Sequence, residues 1–567
     1  MPVLRLQLMA RQAPKSLNKL SAILFDFDGT LTKPGHLDFP KIRAALKCPD
    51  DETILEYISR LPEGPRKEAT SILEGFEMTA ALEAVPNRGA EEIIHFLKSR
   101  RIPFGIITRN RSSMVMRSLQ NFRTVRPEDF SVILSRDDAF LPKPEPEGII
   151  AAAREMGVPV EEVLVVGDFR YDIQAGERAG AVTALLTNGD SSENEHCQPD
   201  FLLSDLAELE GLVRRFFPLP AGKLPNDQLE ALISDIRPGD STVLVGPNVG
   251  QDAAAVLFPP SENVLILKSD PITFATQEAA YYAVTVNAND VIAMGAVPRW
   301  FLASILLPLG STAEQAAEHI RKLQATCAAL GIALCGGHTE ITPVVNQALV
   351  SGCLAGSVTR GRLLRKENAS AGDRVLLTKG VAVEATAILA REFPTELRAL
   401  GVSEKTLERC RNFLFDPGIS VITEGRIAAQ TGHVVAMHDV TEGGLSTALE
   451  ELSRAAGRRI HLFTDRIFVY KETRLLCDLI GLDPAGLIGS GSMLIVCRPA
   501  GAAEVQRKIA EAGVQVTEIG EIGEPGFGID ATDEAGRQSA WPHFEVDEIT
   551  RAKTAIEATL KKKSDRG

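Results

Sequence analysis

The sequence predicts an α/β chain: a parallel sheet covered by helices on both faces, then a second, separate module. Three observations carry that reading. Continuously apolar runs of strand length (AILFDFD, PFGIITRN, SVILS, VLVVGD, AVTALLT) alternate with helical patterns between residues 21 and 187; strands buried on both faces of a parallel sheet read in this unbroken way. The chain has 567 residues, more than one hydrophobic core serves. The stretch FFPLPAGKLPN, residues 216–226, gathers Pro and Gly between two periodic regions and is the expected linker.

In chain order, residues 1–20 hold Arg5, Arg11, Lys15 and Lys19 with no acidic group and are expected to form an N-terminal arm. The first domain is expected over 21–215. Within it, from about 33 to 85, strands give way to charge-rich helical segments such as PKIRAALK and DETILEYISRL, a small helical cap inserted over the sheet edge. Helical patterns from Arg88 to Arg100 and from Glu145 to Met156 separate the later strands. Beyond the linker, STVLVG, NVLILKSD and ALVSGCLAGSV read as strands and Ala313 to Leu330 as a long helix, in a domain expected over 227–368. KENASAGDRVLLT restarts a strand and opens a last domain, 369–555, with 556–567 as a frayed tail.

The 61 basic and 75 acidic residues leave a net charge of −14, and neither side of the linker is basic, so no nucleic-acid or anionic-membrane partner is expected. The longest apolar run, Trp300 to Leu309, falls short of the roughly 18 residues a bilayer span needs. Eight cysteines without a CxxC pair signal neither a zinc site nor a disulfide framework; reduced thiols in a cytoplasmic protein are the expectation.

The first strand ends in Asp26 and Asp28, followed by Gly29 and Thr30. Alternate strand residues point the same way, which brings both carboxylates to one site at the carboxyl edge of the sheet. Two clustered carboxylates are costly without a cation, which suggests Mg²⁺; one can then act as nucleophile and the other as proton donor. Thr108 closes GIIT and offers a hydroxyl, Lys143 in LPKPEP offers a fixed positive charge, and GDFRYD supplies Asp168 and Asp172. Arg109 and Asn110, next to Thr108, are either substrate contacts or ordinary surface residues.

These four motifs in this order resemble the haloacid dehalogenase superfamily of phosphohydrolases over residues 21–215, which implies a Rossmann-like domain with a small cap. The resemblance implies that Asp26 is the nucleophile that becomes an aspartyl phosphate and that Asp28 is the general acid and base. Thr108 and Lys143 would hold the phosphoryl group. Mg²⁺ would be bound by Asp26, the Asp28 carbonyl oxygen and Asp168, with Asp172 in support.

Past the linker, acidic and small residues recur. VGPNVGQDAAAV holds Gly246, Gly250 and Asp252; LILKSDPIT holds Lys268 and Asp270; VTVNANDVIAMGAVP holds Asn287, Asn289 and Asp290; CGGHTEIT holds His338 and Glu340; MHDVTEGGLS holds His438 and Asp439. Glycines let backbone N–H groups approach phosphate oxygens, and separated aspartates hold the divalent ions that bridge a polyphosphate. No GxxxxGK[ST] occurs, so a P-loop is excluded.

NANDVIAMGA and HDVTEGG are similar to motifs of the family of aminoimidazole ribonucleotide synthetase, selenophosphate synthetase, thiamine monophosphate kinase and the hydrogenase-maturation carbamoyl dehydratase, over about 226–550. The resemblance implies a two-part α+β module whose N-terminal half pairs with its twin in a homodimer, with ATP between the halves. Asp252, Asp290 and Asp439 would bind Mg²⁺ and ATP, Asp270 and Asn287 would assist, and Lys268 and Glu340 are weaker candidates. His338 and His438 are read as hydrogen-bonding neighbours of the site. The chain departs from the family in places: no cysteine lies between Gly222 and Asp252, the last residues read KKKSDRG, and TKGVAVEAT has only Gly380 where a glycine-rich turn is usual. Neither selenophosphate synthesis nor carbamoyl dehydration is therefore expected.

The resulting expectation is a bifunctional enzyme: a Mg²⁺-dependent phosphatase for a small phosphate ester, joined to an ATP-dependent enzyme that phosphorylates an oxygen atom. The alternative keeps the phosphatase and makes the second part an ATP-sensing, dimerising module without turnover.

Overall fold

The computed structural model describes residues 17, 19–49, 52–189, 197–237, 239–247, 253–258, 264–272, 278–533 and 535–564. Most of the expected N-terminal arm, and the candidate Asp252 with Gly250, lie outside the described residues. The chain divides into two compact units, Met1–Pro220 with Leu309–Gln315, and Ala221–Pro308 with Ala316–Gly567.

In the first unit, β1 (Ala22–Phe25), β2 (Phe104–Ile107), β3 (Val132–Leu134), β4 (Val163–Gly167), β5 (Val182–Leu186) and β6 (Phe201–Leu203) form one sheet in the order β3-β2-β1-β4-β5-β6. Every pairing is parallel. The unbroken apolar runs have a physical reason. Ile23 and Phe25 of β1 pack with Ile94, Leu97 and Val115 on one face, while Ala22 and Leu24 pack with Ile149, Ala152 and Ala175 on the other. The strand order reverses between β1 and β4, so the loops after these two strands diverge and leave a crevice at their carboxyl ends.

The inserted cap is three helices, Phe39–Leu46, Ile54–Arg60 and Glu63–Glu83, around a small core that includes Ile42, Leu46, Ile58 and Leu73. Asn121 ties the end of the long cap helix to the sheet domain, its side-chain amide donating to the carbonyls of Ala81, Leu82 and Ala84 at 3.1, 3.2 and 2.9 Å.

The second unit begins with β7 (Gly222–Lys223), the hairpin of β8 (Val243–Val245) and β9 (Ala255–Val256), then β10 (Val264–Ile272), β11 (Val297–Pro308), β12 (Ala333–Thr342) and β13 (Leu349–Val358). Five of these form a mixed sheet ordered β10-β13-β11-β12-β7. Residues 222 and 223, expected in the linker, instead pair with Ile341 and Glu340 of β12. The later strands, β14 (Arg374–Thr378), β15 (Val434–Asp439), β16 (Arg458–Phe463), β17 (Met493–Cys497), β18 (Val516–Pro525), β19 (Ile529–Thr532) and β20 (Gln538–Ser539), make a sheet ordered β15-β17-β14-β18-β16-β19-β20.

Within the second unit, Ile292 and Ala293 of the helix Ala279–Ala293 share a core with Leu376, Met437 and Ile495 of the later sheet, so the parts on either side of the boundary expected near residue 369 pack together. Residue 556 is not the start of a frayed end: a helix runs Ala552–Ser564, and Ile556 is buried with Leu397 and Leu400. No helix among the described residues is long and apolar enough to cross a membrane.

Candidate active site

β1 stops at Phe25, one residue short of the first aspartate. The Asp26 amide donates to the Val166 carbonyl at 2.8 Å, holding the chain beside β4, and residues 27–31 then turn sharply. Gly29 sits at φ +88°, and a Cβ there would lie 2.1 Å from Asp168 Oδ2; the left-handed backbone and the close approach both require glycine. The two aspartates are therefore not a strand pair facing one way, as the alternation argument expected. Asp28 lies in the turn, and its carboxylate is directed elsewhere.

Lys143 is the hub. Only 4% exposed, its ammonium donates to Asp26 Oδ1 at 2.5 Å, to Asp172 Oδ1 at 2.5 Å and to the Ile107 carbonyl at 2.9 Å. Asp172 takes the Phe169 amide on its other oxygen at 3.1 Å. Thr30 donates to Asp168 Oδ1 at 3.3 Å. Asp26, Asp168 and Asp172 each offer an oxygen within 4.8 Å of the others. The Asp28 side chain is outside this cluster and accepts from Asn110 Nδ2 at 3.0 Å, which leaves its main-chain carbonyl as the Asp28 group expected to join Asp26, Asp168 and Asp172 at the metal. Thr108 is buried, and its hydroxyl oxygen accepts the Asn110 amide at 3.0 Å.

The electrostatics follow from burial. Desolvation pushes the Asp26 carboxyl well up; Lys143 opposes this, while Asp172, Asp168 and Asp28 reinforce it. Burial, with a contribution from Asp172, raises Asp168 to about 7. Burial raises Asp28 to about 6 against the stabilising bond from Asn110. Lys143 is raised as well: burial works against its charge, and Asp172 and Asp26 outweigh it. Three carboxylates around one ammonium carry an excess of negative charge in a dry place, and their hard oxygen donors fit Mg²⁺.

In the second unit, the two-residue period of β10 sets Lys268 and Asp270 on one face and turns Leu265 and Leu267 outward. Lys268 bridges Asp270 Oδ2 at 2.8 Å and Asp290 Oδ2 at 3.2 Å. Asn287 accepts the Asp270 amide at 3.0 Å and donates to the Ala283 carbonyl at 2.7 Å, fixing the strand against the helix that carries Asp290. Burial and then the Asp439 charge raise Asp290 to about 7. Asp439 is buried, its carboxyl raised by desolvation, and its Oδ2 has no hydrogen-bond partner. An orphaned buried carboxylate oxygen beside a second carboxylate fits a cation-bridged polyphosphate. His438 pairs with Glu451 and His338 with Glu340, each at 2.9 Å.

The glycine-poor turn behaves unlike a phosphate cradle. Lys379 and Ala382 take φ of +54° and +56°, and the amides of Lys379, Val381 and Ala385 are committed to the carbonyls of Gln515, Phe468 and Ile488. The Lys379 ammonium is spent on the carbonyls of Gly418 and Ser420 and on Glu424.

Sequence reasoning left the role of Asn110 open and missed the cap contacts: Arg136 pairs with Glu77 through two bonds of 2.8 Å, and Arg111 with Glu74 at 2.8 Å. The signal for Asn110 was its place two residues after the strand-end threonine; the cap pairs left no local signal.

Residues 23–186 match the haloacid dehalogenase-like hydrolase family, and residues 250–358 and 370–530 match the N-terminal and C-terminal domains of AIR synthase related proteins. A putative hydrogenase expression/formation protein of Methanocaldococcus jannaschii is 28% identical over 40% of this chain, which spans 64% of that protein's length. An uncharacterized hydrolase of Saccharomyces cerevisiae is 32% identical over 36% of this chain and 95% of its own. The carbamoyl dehydratase HypE of Cupriavidus necator is 26% identical over 49% of this chain and 78% of its own. The chain belongs, through its first unit, to the haloacid dehalogenase-like hydrolases, here fused to the paired domains of the AIR synthase related proteins.

Proposed function

We propose that the first unit is a Mg²⁺-dependent phosphohydrolase acting on a small phosphate ester through an aspartyl phosphate. The observation that carries this reading is the division of labour between the two aspartates. Asp26 is held against Lys143 in the carboxylate cluster, while Asp28 is held apart by Asn110 with its carboxyl pushed up to about 6, a value suited to giving and taking a proton near neutrality. A carboxylate oxygen of Asp26 attacks phosphorus, the bond from phosphorus to the ester oxygen breaks, and Asp28 gives its proton to the leaving oxygen. Asp28 then takes a proton from water as the water oxygen attacks phosphorus, releasing phosphate and restoring Asp26. Lys143 and Thr108 hold the phosphoryl oxygens. Mg²⁺ on Asp26, Asp168, Asp172 and the Asp28 carbonyl would offset phosphoryl charge. The test is hydrolysis of p-nitrophenyl phosphate by the full chain: Mg²⁺-dependent turnover is expected, and turnover that survives Asp26→Asn overturns the assignment.

The second unit is read as an ATP-binding module, with Asp290 and Asp439 holding the cation that bridges the phosphates, Lys268 and Asp270 lining the site, and Asn287 positioning β10. ATP-dependent phosphorylation of an oxygen atom of a small substrate accords with the AIR synthase related match. One observation favours the alternative of binding without turnover: the loop amides at 379, 381 and 385 are already bonded to the protein. Pairing of two chains is supported by the edge strand β10, whose Leu265 and Leu267 are 48% and 67% exposed beside Leu302 and Cys353. A cytoplasmic location belongs to the same proposal.

A further inference from the structure

Three arginines lie in the loops after β2 and β3, close to the cap. Arg111 and Arg136 are neutralised by the cap carboxylates Glu74 and Glu77. Arg109 is not: among the described residues no carboxylate lies within salt-bridge distance of it, and its buried Nε has no hydrogen-bond partner. Its guanidinium rests over the ring of Tyr171, 5.3 Å from the centroid, and Tyr171 is held edge-on against Phe169. Tyr171 lies in the first turn of the helix Arg170–Ala179, which follows β4 and the Asp168 loop and also carries Asp172, and Arg109 stands between Thr108 and Asn110. The charges acting on it include Glu56 of the cap and Asp172 and Arg136 of the sheet domain. A guanidinium partly withdrawn from water, oriented by a ring and left without an anion carries a desolvation cost, and that cost is offset when a carboxylate or phosphate arrives to accept its paired N–H groups.

We propose that Arg109 is the specificity residue of the first site, and that its preferred substrates are small phosphate esters carrying a second anionic group, a carboxylate or a further phosphoryl group, one arginine side chain from the reacting phosphorus. This rests on reading that site as a phosphoryl-transfer centre. Arg109 binds the part of the substrate that does not react, with its plane set by Tyr171, while Thr108 and Asn110 on either side serve the phosphoryl group and Asp28.

The test is titration calorimetry on the full chain in excess Mg²⁺ with methylphosphonate, phosphonoacetate and methylenediphosphonate, none of which can turn over. At least one of the two doubly anionic probes is expected to bind about 10- to 100-fold more tightly than methylphosphonate, the range of a charge-assisted contact; the probe preferred names the second group. Arg109→Gln is expected to bring that ratio near one, with Arg109→Lys intermediate because it keeps the charge and loses the fork. Melting curves show whether each variant is folded, and Arg109→Lys carries the comparison if Arg109→Gln is not. A ratio near one in the native chain, or one unchanged in the folded variants, overturns the inference. Selectivity that depends on Arg109 in a chain that hydrolyses no phosphate ester overturns the phosphatase reading and leaves Arg109 standing; hydrolysis without such selectivity does the reverse.

Discussion

Replacing Lys143 with methionine removes the one ammonium that holds two buried carboxylates. Asp26 and Asp172, 8% and 3% exposed, each lose a bond of 2.5 Å, and the Ile107 carbonyl loses a donor at 2.9 Å. Methionine nearly matches the volume, so packing contributes little. Removing one partner of a buried ion pair costs about 3–5 kcal/mol because the other charge is left uncompensated, and the second carboxylate sets the expectation at the upper end. For a unit of this size each kcal/mol moves the transition by about 2–4 °C, so Lys143→Met is expected to lower the first unit's melting temperature by on the order of 10 °C, read by calorimetry of the full chain with a chelator present. Added Mg²⁺ restores much of the loss, since a divalent cation replaces the missing charge. The comparison that isolates the charges is Lys143→Met in a chain already carrying Asp26→Asn and Asp172→Asn, where the loss shrinks to about 1 kcal/mol or less. An equal loss in that background would refute the electrostatic account and leave only a packing defect.

Two further outcomes are expected. Glu384 is buried, and desolvation raises its carboxyl from an ordinary value near 4.5 to about 7. The folded chain therefore keeps a proton that the unfolded chain gives up. Stability from this group is complete below about pH 4.5 and is lost as pH rises through 7; Glu384→Gln, which can still accept the Ser490 amide, is expected to flatten that fall and gain up to about 3 kcal/mol at pH 8 by denaturant titration. In the second unit, Asp290→Ala leaves Lys268 with Asp270 alone and removes one carboxylate from the proposed cation site. Calorimetry with ATP and Mg²⁺ is expected to lose the binding seen in the native chain, and unchanged binding would remove Asp290 from the site.

What was legible in the sequence was what local physics decides. The parallel strands read as apolar runs because both faces are buried, and the acidic, hydroxyl and lysine groups were found because each follows a strand end. The direction of Asp28 was not legible: it depends on where β1 stops and on Gly29 touching Asp168, a contact across 139 positions. The Glu77 to Arg136 pair spans 59 positions and closes only once the cap is folded onto the sheet domain. Residues 222 and 223 look like linker because a two-residue strand is too short to show a period, and Ile556 looked exposed because its partners, Leu397 and Leu400, are remote in sequence. In the second unit Lys268 and Asp270 were found as neighbours in the LILKSDPIT motif, whereas the committed amides of the 379–385 turn depend on carbonyls from three distant segments.

The central claim is that Asp26 accepts the phosphoryl group and Asp28 moves the protons. It is tested most directly by acid-quenching the Asp28→Asn variant during reaction with a phosphate ester labelled at phosphorus, followed by peptide mapping. The account predicts label on the peptide that carries Asp26, lost on treatment with hydroxylamine and absent when Asp26 is also replaced by asparagine. Turnover by the native chain with no label on that peptide in the variant, or label that persists after Asp26→Asn, would contradict it.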